Sequence, residues 1–346
     1  MHTFAVRRLR AAVAVVAAAG LAAILLVTPS SGAAAPIGSG QDLSGLRVLL
    51  TNDDSAQGRD LHYGTDGKGL YELRRALCAA GADVLVVAPW GQQSGASVSI
   101  TTPGFSPVAL TVQPVTPPAG YAEDCDADAP DVFGVCVSAT ACTSGSRSAT
   151  PSDAVRVGVT RFAMAHWGAG PDVVLSGVNF GQNVGTMANH SGTVGAVITA
   201  RELGVSGIAL SAEVPISDLS QLTNVPFTQT AEFTVKLIAE LVRQQRLDDL
   251  VTLNVNHPFV GAGESLGRPV AAVLGGSTDL ALTLTGDVPA SGGTYQLQFQ
   301  AADEEPLRDA DTTALGRKDI PITLLDGDWT VTGNRGHVTS LVAALR

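Results

Sequence analysis

Short apolar runs that end in polar, glycine-bearing segments recur along this chain. Val48-Leu49-Leu50, Asp83 to Ala88, Asp172 to Val178, Gly207 to Ser211 and Leu250 to Val255 read as buried strands. Between them, apolar residues recur at helical spacing. Leu70, Leu73 and Leu77 form one such stripe, closed by Gly81, and Val194, Val197 and Ile198 another. Val155 to Trp167 reads as a helix capped by Ser152 or Asp153, and Thr230 to Gln245 as an amphipathic helix with Phe233, Leu237 and Leu241 on one face. Strand, helix, strand at these distances predicts right-handed βαβ units and a mostly parallel sheet of the α/β class. From Gly261 the pattern changes to alternating, turn-rich β segments such as Tyr295 to Phe299 and Asp319 to Leu325. A β-rich extension or arm (261–330) is expected there, followed by a tail (331–346).

The chemistry-bearing residues gather where the apolar runs stop. Arg47-Val-Leu-Leu-Thr-Asn-Asp-Asp54 ends in two adjacent carboxylates, Asp53 and Asp54. In an open α/β sheet, ligands bind beyond the carboxyl ends of the strands. Neighbouring carboxylates there repel unless a cation or a shared proton lies between them, and their hard oxygens suit Mg²⁺, Mn²⁺ or Ca²⁺. Read alone, the pair is better taken as a turn leading to a helix N-cap; the rest of the sequence reverses that preference. The second strand runs into Trp90-Gly-Gln-Gln-Ser94, and the third into Asn179-Phe-Gly-Gln-Asn183. Ser191-Gly192-Thr193 opens a helix, offering backbone N–H groups, two hydroxyls and the positive end of the dipole to an anion; an ordinary cap is the competing reading.

The N-terminus changes the picture of where this chemistry happens. Arg7, Arg8 and Arg10, the apolar stretch Ala11 to Val27 and the small residues Ser31-Gly32-Ala33 have the form of a secretory signal peptide (1–33), with a lead-in over 34–45. The expected localisation is therefore extracellular or periplasmic, without stable membrane insertion after cleavage; an uncleaved anchor is the alternative. Removing three of the 21 basic residues leaves 18 against 32 acidic ones, a net charge of −14. Such a surface disfavours nucleic-acid polymers, though a metal can still admit a small phosphorylated ligand. Cys125, Cys136 and Cys142 lie in a segment (119–149) rich in Asp, Ala, Gly and Ser, and export suggests a disulfide-stapled insertion, with a zinc site as the rival. Cys78, on the first helix, reads as a buried core thiol.

Several of these stretches, taken in order, resemble the SurE family, the survival-protein E nucleotidases. They are Asn52-Asp53-Asp54, Val87-Ala88-Pro89 with Gln93-Ser94-Gly95-Ala96, Thr150-Pro151-Ser152-Asp153, Pro171 to Asn179 with Asn183, and Ser191-Gly192-Thr193-Val194. The resemblance runs from about Leu46 to Thr330. It implies a Rossmann-like core (46–330) with helices on both faces, dimers or tetramers joined by swapped C-terminal segments, and metal-dependent hydrolysis of nucleoside 5′- or 3′-monophosphates. By position it implies Asp53, Asp54, Ser94 and Asn179 as ligands of a divalent ion, Mg²⁺ or Mn²⁺. Asn183, Ser191, Gly192 and Thr193 would hold the phosphate, and Asp53 would also orient or deprotonate the attacking water.

The chain departs from that pattern at Ser55, at Trp90-Gly91, in the cysteine segment and in its signal sequence. Where the family carries an aromatic residue before Ser-Gly-Thr, this chain has His190. His190 either protonates the leaving alkoxide or contacts the phosphate, by virtue of its titration range, or is a loop residue that packs. The competing functions are a broader phosphatase or exopolyphosphatase on the same site, and an exported metal- and phosphate-binding protein without turnover.

Overall fold

The computed structural model describes residues 41–58, 67–125, 131–216, 218–278, 280–286, 291–301, 304–328 and 336–345. The expected signal segment and His62 lie outside the described residues. The chain begins with β1 (Arg47–Thr51), α1 (Lys68–Ala79), β2 (Asp83–Pro89), β3 (Leu110–Pro114), β4 (Val132–Val137), α2 (Pro151–Val157) and α3 (Ala163–Trp167). There follow β5 (Val173–Phe180), α4 (Gly192–Glu202), β6 (Gly207–Ala212), α5 (Phe227–Arg243) and β7 (Thr252–His257). The C-terminal part holds β8 (Pro269–Ala272), β9 (Leu280–Thr285), β10 (Gln296–Ala301), α6 (Asp311–Gly316), β11 (Ile320–Leu324) and α7 (Gly336–Ala344).

Nine strands form one sheet in the order β3-β4-β2-β1-β5-β6-β7-β11-β8. From β4 to β7 every neighbouring pair is parallel. The fold is thus the mostly parallel α/β sheet that the sequence predicts. From β1 the chain builds outward through β2 and β4 on one side, then returns to build β5, β6 and β7 on the other. The strand order therefore reverses between β1 and β5, and the carboxyl ends of those two strands flank the crevice where such sheets bind ligands.

Helices on both faces explain why the β1 run is apolar without alternation. Val48 and Leu50 face Leu70, Leu73 and Leu77 of α1 and Ala231, Val235 and Ile238 of α5. Leu49 points the other way, toward Ala154 and Val155 of α2 and Ala196 and Ala200 of α4. Both layers are needed to hold the end of β1 rigidly at the crevice.

Several expectations need correction. The cap of α2 is Thr150, whose side chain accepts from the Asp153 N–H while Asp153 accepts from the Thr150 N–H, a reciprocal box one turn earlier than the sequence suggests. On α5 the deeply buried stripe is Ala231, Thr234, Val235 and Ile238, while Phe233, Leu237 and Leu241 flank it, only partly covered. Cys78 is not a core thiol. It sits on the flank of α1 that residues 119–125 cover, and it forms a disulfide with Cys125, their Cα atoms 5.4 Å apart. Cys136 pairs with Cys142. Within the cysteine segment, β4 is a strand of the main sheet, parallel to β2.

The C-terminal part is only partly an arm, because β8 and β11 extend the main sheet. The β9–β10 pair stands as a separate antiparallel hairpin, with Leu282, Leu284, Leu297 and Phe299 exposed at register positions of one face. Within the segment 331–346, Gly336–Ala344 form α7. Among the described residues, no helix is long and apolar enough to cross a membrane.

Candidate active site

The crevice between the ends of β1 and β5 is acidic and buried. Asp53 and Asp54, just past β1, are 2% and 4% exposed. The N-terminus of α4 meets Asp53 directly: the Thr193 hydroxyl donates to Oδ1 at 2.9 Å and the Thr193 N–H to Oδ2 at 3.1 Å. Gly192 is required by this approach. A Cβ there would lie 2.8 Å from Asp53 Oδ2. Burial pushes the Asp53 carboxyl above its ordinary value, while the hydrogen bonds from Thr193 and the Gly192 amide oppose that shift. Among the described residues, no Lys or Arg pairs with Asp53.

Asp54 turns toward β5. Its Oδ2 accepts from the Phe180 N–H at 3.0 Å and from Asn52 Nδ2 at 3.1 Å. That contact fixes the neighbouring Asn179, which is 8% exposed and gives its Nδ2 to the Gly181 carbonyl at 2.8 Å. The oxygen end of the same amide, Asn179 Oδ1, is buried without a hydrogen-bond partner among the described residues. A buried acceptor without a donor costs about 1–3 kcal/mol, a cost that a bound cation removes. Two buried carboxylates beside an unsatisfied amide oxygen are a donor set that fits a hard divalent ion. Among the described residues, no group of three or more His, Cys, Asp or Glu side chains is placed to hold a metal. The candidate set here includes only two carboxylates.

The remaining predicted residues surround this pair at different depths. Ser94 is exposed, its Oγ accepting from Gln92 Nε2 at 2.7 Å; the adjacent Gln93 gives its N–H to the Asp53 carbonyl at 2.7 Å, tying that loop to the site. Ser191 caps α4 by accepting from the Val194 N–H. Asn183 is buried and gives its Nδ2 to Ser211 Oγ at 2.9 Å. His190 ends the 3₁₀ turn Gly185–His190 with an exposed ring, and no hydrogen bond joins it to Asp53 or Asp54 among the described residues.

Sequence reasoning passed over the groups that hold the site from beneath. Asn254 and Asn256 of β7 both donate to the Asn183 carbonyl, and Asn256 accepts from the Asn183 N–H at 2.7 Å. Their signal was visible as two Asn alternating with Leu253 and Val255 in a fully buried strand, where buried amides need partners. Asp153, beyond its capping role, binds the Thr101 N–H and hydroxyl and so holds the loop after Ser94.

A mostly parallel α/β sheet with paired, buried carboxylates at its switch point, one of them bonded to the N-terminus of a helix, defines a Rossmann-like α/β protein. The family model described as survival protein SurE matches residues 48–275, and this chain belongs to that family. Among its relatives, the 5′-nucleotidase SurE of Methylobacterium radiotolerans is 30% identical over 82% of this chain and 94% of its own length. The 5′-nucleotidase SurE of Treponema pallidum is 35% identical over 60% of this chain and 89% of its own length. The crystal structure of the SurE protein from Aquifex aeolicus matches the fold with a TM-score of 0.59, covering 86% of this chain and 99% of that one at 24% identity.

Proposed function

We infer that this chain is a phosphoric monoester hydrolase that converts nucleoside 5′- or 3′-monophosphates to nucleoside and phosphate. The observation that carries the reading is the junction of Asp53 with the start of α4 at the switch point, beside the second buried carboxylate, Asp54. The names of the relatives, 5′-nucleotidase SurE, supply the reaction class.

In this reading Asp53, Asp54, Ser94 and Asn179 would hold a divalent ion, Mg²⁺ or Mn²⁺. When bound, the ion supplies polarisation of a phosphoryl oxygen and acidification of water. Asp53 orients the attacking water and takes its proton. Asn183, Ser191, Gly192 and Thr193 form the phosphate side, so the α4 N-terminus is shared between the Asp53 carboxylate and the substrate anion. His190, exposed beside the cap, protonates the leaving alkoxide. A His190→Gln variant with an unchanged pH–rate profile would remove that assignment.

The two disulfides support the proposal that the protein works outside the cytoplasm. The exposed apolar face of the β9–β10 hairpin supports assembly into a homodimer or homotetramer. The decisive test is phosphate release from a panel of nucleoside monophosphates with EDTA, Mg²⁺ or Mn²⁺, beside Asp53→Asn. Metal-dependent turnover that falls at least about a hundredfold in the variant is expected for loss of a general base. Turnover restricted to other esters would instead favour the broader phosphatase, and no turnover the binding protein.

A further inference from the structure

Two stretches that lie outside the quoted motifs, Trp90-Gly91 and the cysteine segment, meet in space. The Trp90 indole lies over Gly134 of β4, so closely that a Cβ on Gly134 would come within 2.6 Å of the ring. Its Nε1–H donates to the Thr143 carbonyl at 2.8 Å. The next residue is held from the same side: the Gly91 N–H donates to Ser148 Oγ, which in turn donates to the Gly91 carbonyl, both at 2.9 Å. Thr143 and Ser148 follow Cys142 in the turn that leaves β4 and returns beside it, where Ser148 pairs with Cys136; the Cys136–Cys142 disulfide ties Cys142, the residue before Thr143, to β4, and Gln113 accepts the Cys142 N–H at 2.9 Å.

On its other side the same segment is bonded to the acidic centre. Gln93 donates to the Asp53 carbonyl at 2.7 Å, Ala56 donates to the Pro89 carbonyl at 2.8 Å, and Gln57 Nε2 donates to the Trp90 carbonyl at 3.1 Å. Residues 90–94 are thus clamped between the acidic loop 53–57 and the 143–148 turn, whose start the Cys136–Cys142 disulfide ties to β4. We propose that the Cys136–Cys142 disulfide, by fixing the start of the 143–148 turn against β4, is a brace for the site, acting through Trp90 and Gly91 as positioning residues that set the Gln92–Ser97 segment against Asp53. Its effect on metal affinity rests on the reading of Ser94 as a metal-holding residue; the positioning itself does not. The disulfide shortens the range of positions open to Thr143, and the indole hydrogen bond passes that restriction to the backbone that carries Ser94.

The test compares the wild-type protein with Cys136→Ser/Cys142→Ser and with Trp90→Phe, which keeps a ring over Gly134 but loses the donor to Thr143. Amide hydrogen exchange over 91–96 and calorimetric titration with Mn²⁺ alone are the readouts. Faster exchange confined to that segment is expected in both variants, with Mn²⁺ affinity lowered about tenfold or more, the scale seen for residues that orient metal ligands. Cys78→Ser/Cys125→Ser should change neither, although it lowers overall stability. Wild-type protection of 91–96 in both variants overturns the brace whatever the Mn²⁺ result. Faster exchange throughout the chain also overturns it, since that is the mark of a general structural role. A wild-type protein that neither binds Mn²⁺ nor releases phosphate would instead refute the hydrolase reading, and the exchange data would still decide the brace.

Discussion

Thr193 grips the Asp53 carboxylate with two donors, its hydroxyl at 2.9 Å and its backbone N–H at 3.1 Å, across 140 residues of chain. The contact joins the end of β1 to the start of α4, and it brings fixed positive potential to a carboxylate that burial would otherwise neutralise. One side chain therefore links the fold's switch point to the charge state of the residue assigned to the reacting water.

Replacing Thr193 with Val keeps the volume but removes the hydroxyl. A hydrogen bond to a charged group is worth about 1.5–3 kcal/mol, so kcat/KM for a nucleoside monophosphate should fall about tenfold or more. Steady-state phosphate release measures it, and a variant within a factor of two of wild type would show that the hydroxyl does not set the state of Asp53.

Gly192→Ala should harm activity more than stability. The added Cβ would stand 2.8 Å from Asp53 Oδ2 and 2.9 Å from Asp53 Cβ, so the carboxylate must move. Overpacking of this kind costs about 1–3 kcal/mol, leaving the protein folded with a displaced Asp53. Thermal melting together with kcat separates the two effects; an unaltered kcat would mean that the site tolerates the displacement.

The two disulfides should differ in what their loss costs. Cys78–Cys125 spans 47 residues and Cys136–Cys142 only 6. Chain-entropy arguments give about 4 kcal/mol for the longer loop and about 2 kcal/mol for the shorter. Guanidinium denaturation of the two Ser-paired variants should therefore rank Cys78→Ser/Cys125→Ser as the less stable. The reverse ranking would show that local packing, not loop length, governs them.

His257 makes stability sensitive to mild acid. It is 3% exposed, and burial holds its pKa below the ordinary value, against a smaller opposing effect of the Pro258 carbonyl at 3.0 Å. Below pH about 6.5 the unfolded chain takes up a proton that the native imidazole does not. Stability is thus fully present above that value, declines as pH falls toward the depressed native pKa, and levels off beneath it. Urea titrations at pH 7.5 and 5.5 should show a smaller loss in His257→Gln than in wild type. Equal losses would place the acid sensitivity elsewhere.

Much of the fold was legible in the sequence because its signals are local. Val48-Leu49-Leu50 announces a strand buried on both faces, and Leu70, Leu73 and Leu77 announce the inward stripe of α1, since strand and helix periods are properties of neighbouring residues. The acidic end of β1 and the Ser191-Gly192-Thr193 opening of α4 were visible for the same reason. The amphipathic face of α5 was displaced because Phe233, Leu237 and Leu241 are the larger apolar residues, yet the close approach to the sheet is made by the smaller Ala231, Thr234 and Val235.

What the sequence by itself determined, then, was which segments are strands and helices and which polar groups stand at their ends. Tertiary structure alone decided that β5 lies beside β1, so that Asp54 reaches the Phe180 N–H next to Asn179 and Asp53 reaches Thr193. It also decided that Cys78 meets Cys125, that Asn254 and Asn256 carry Asn183, and that Trp90 meets Thr143, next to the Cys136–Cys142 disulfide. Each of these pairs is distant in sequence or set by a turn's path, and is brought together only when both faces of one sheet are covered at once. Periodicity states which way a side chain points; the packing of whole layers selects what it meets there.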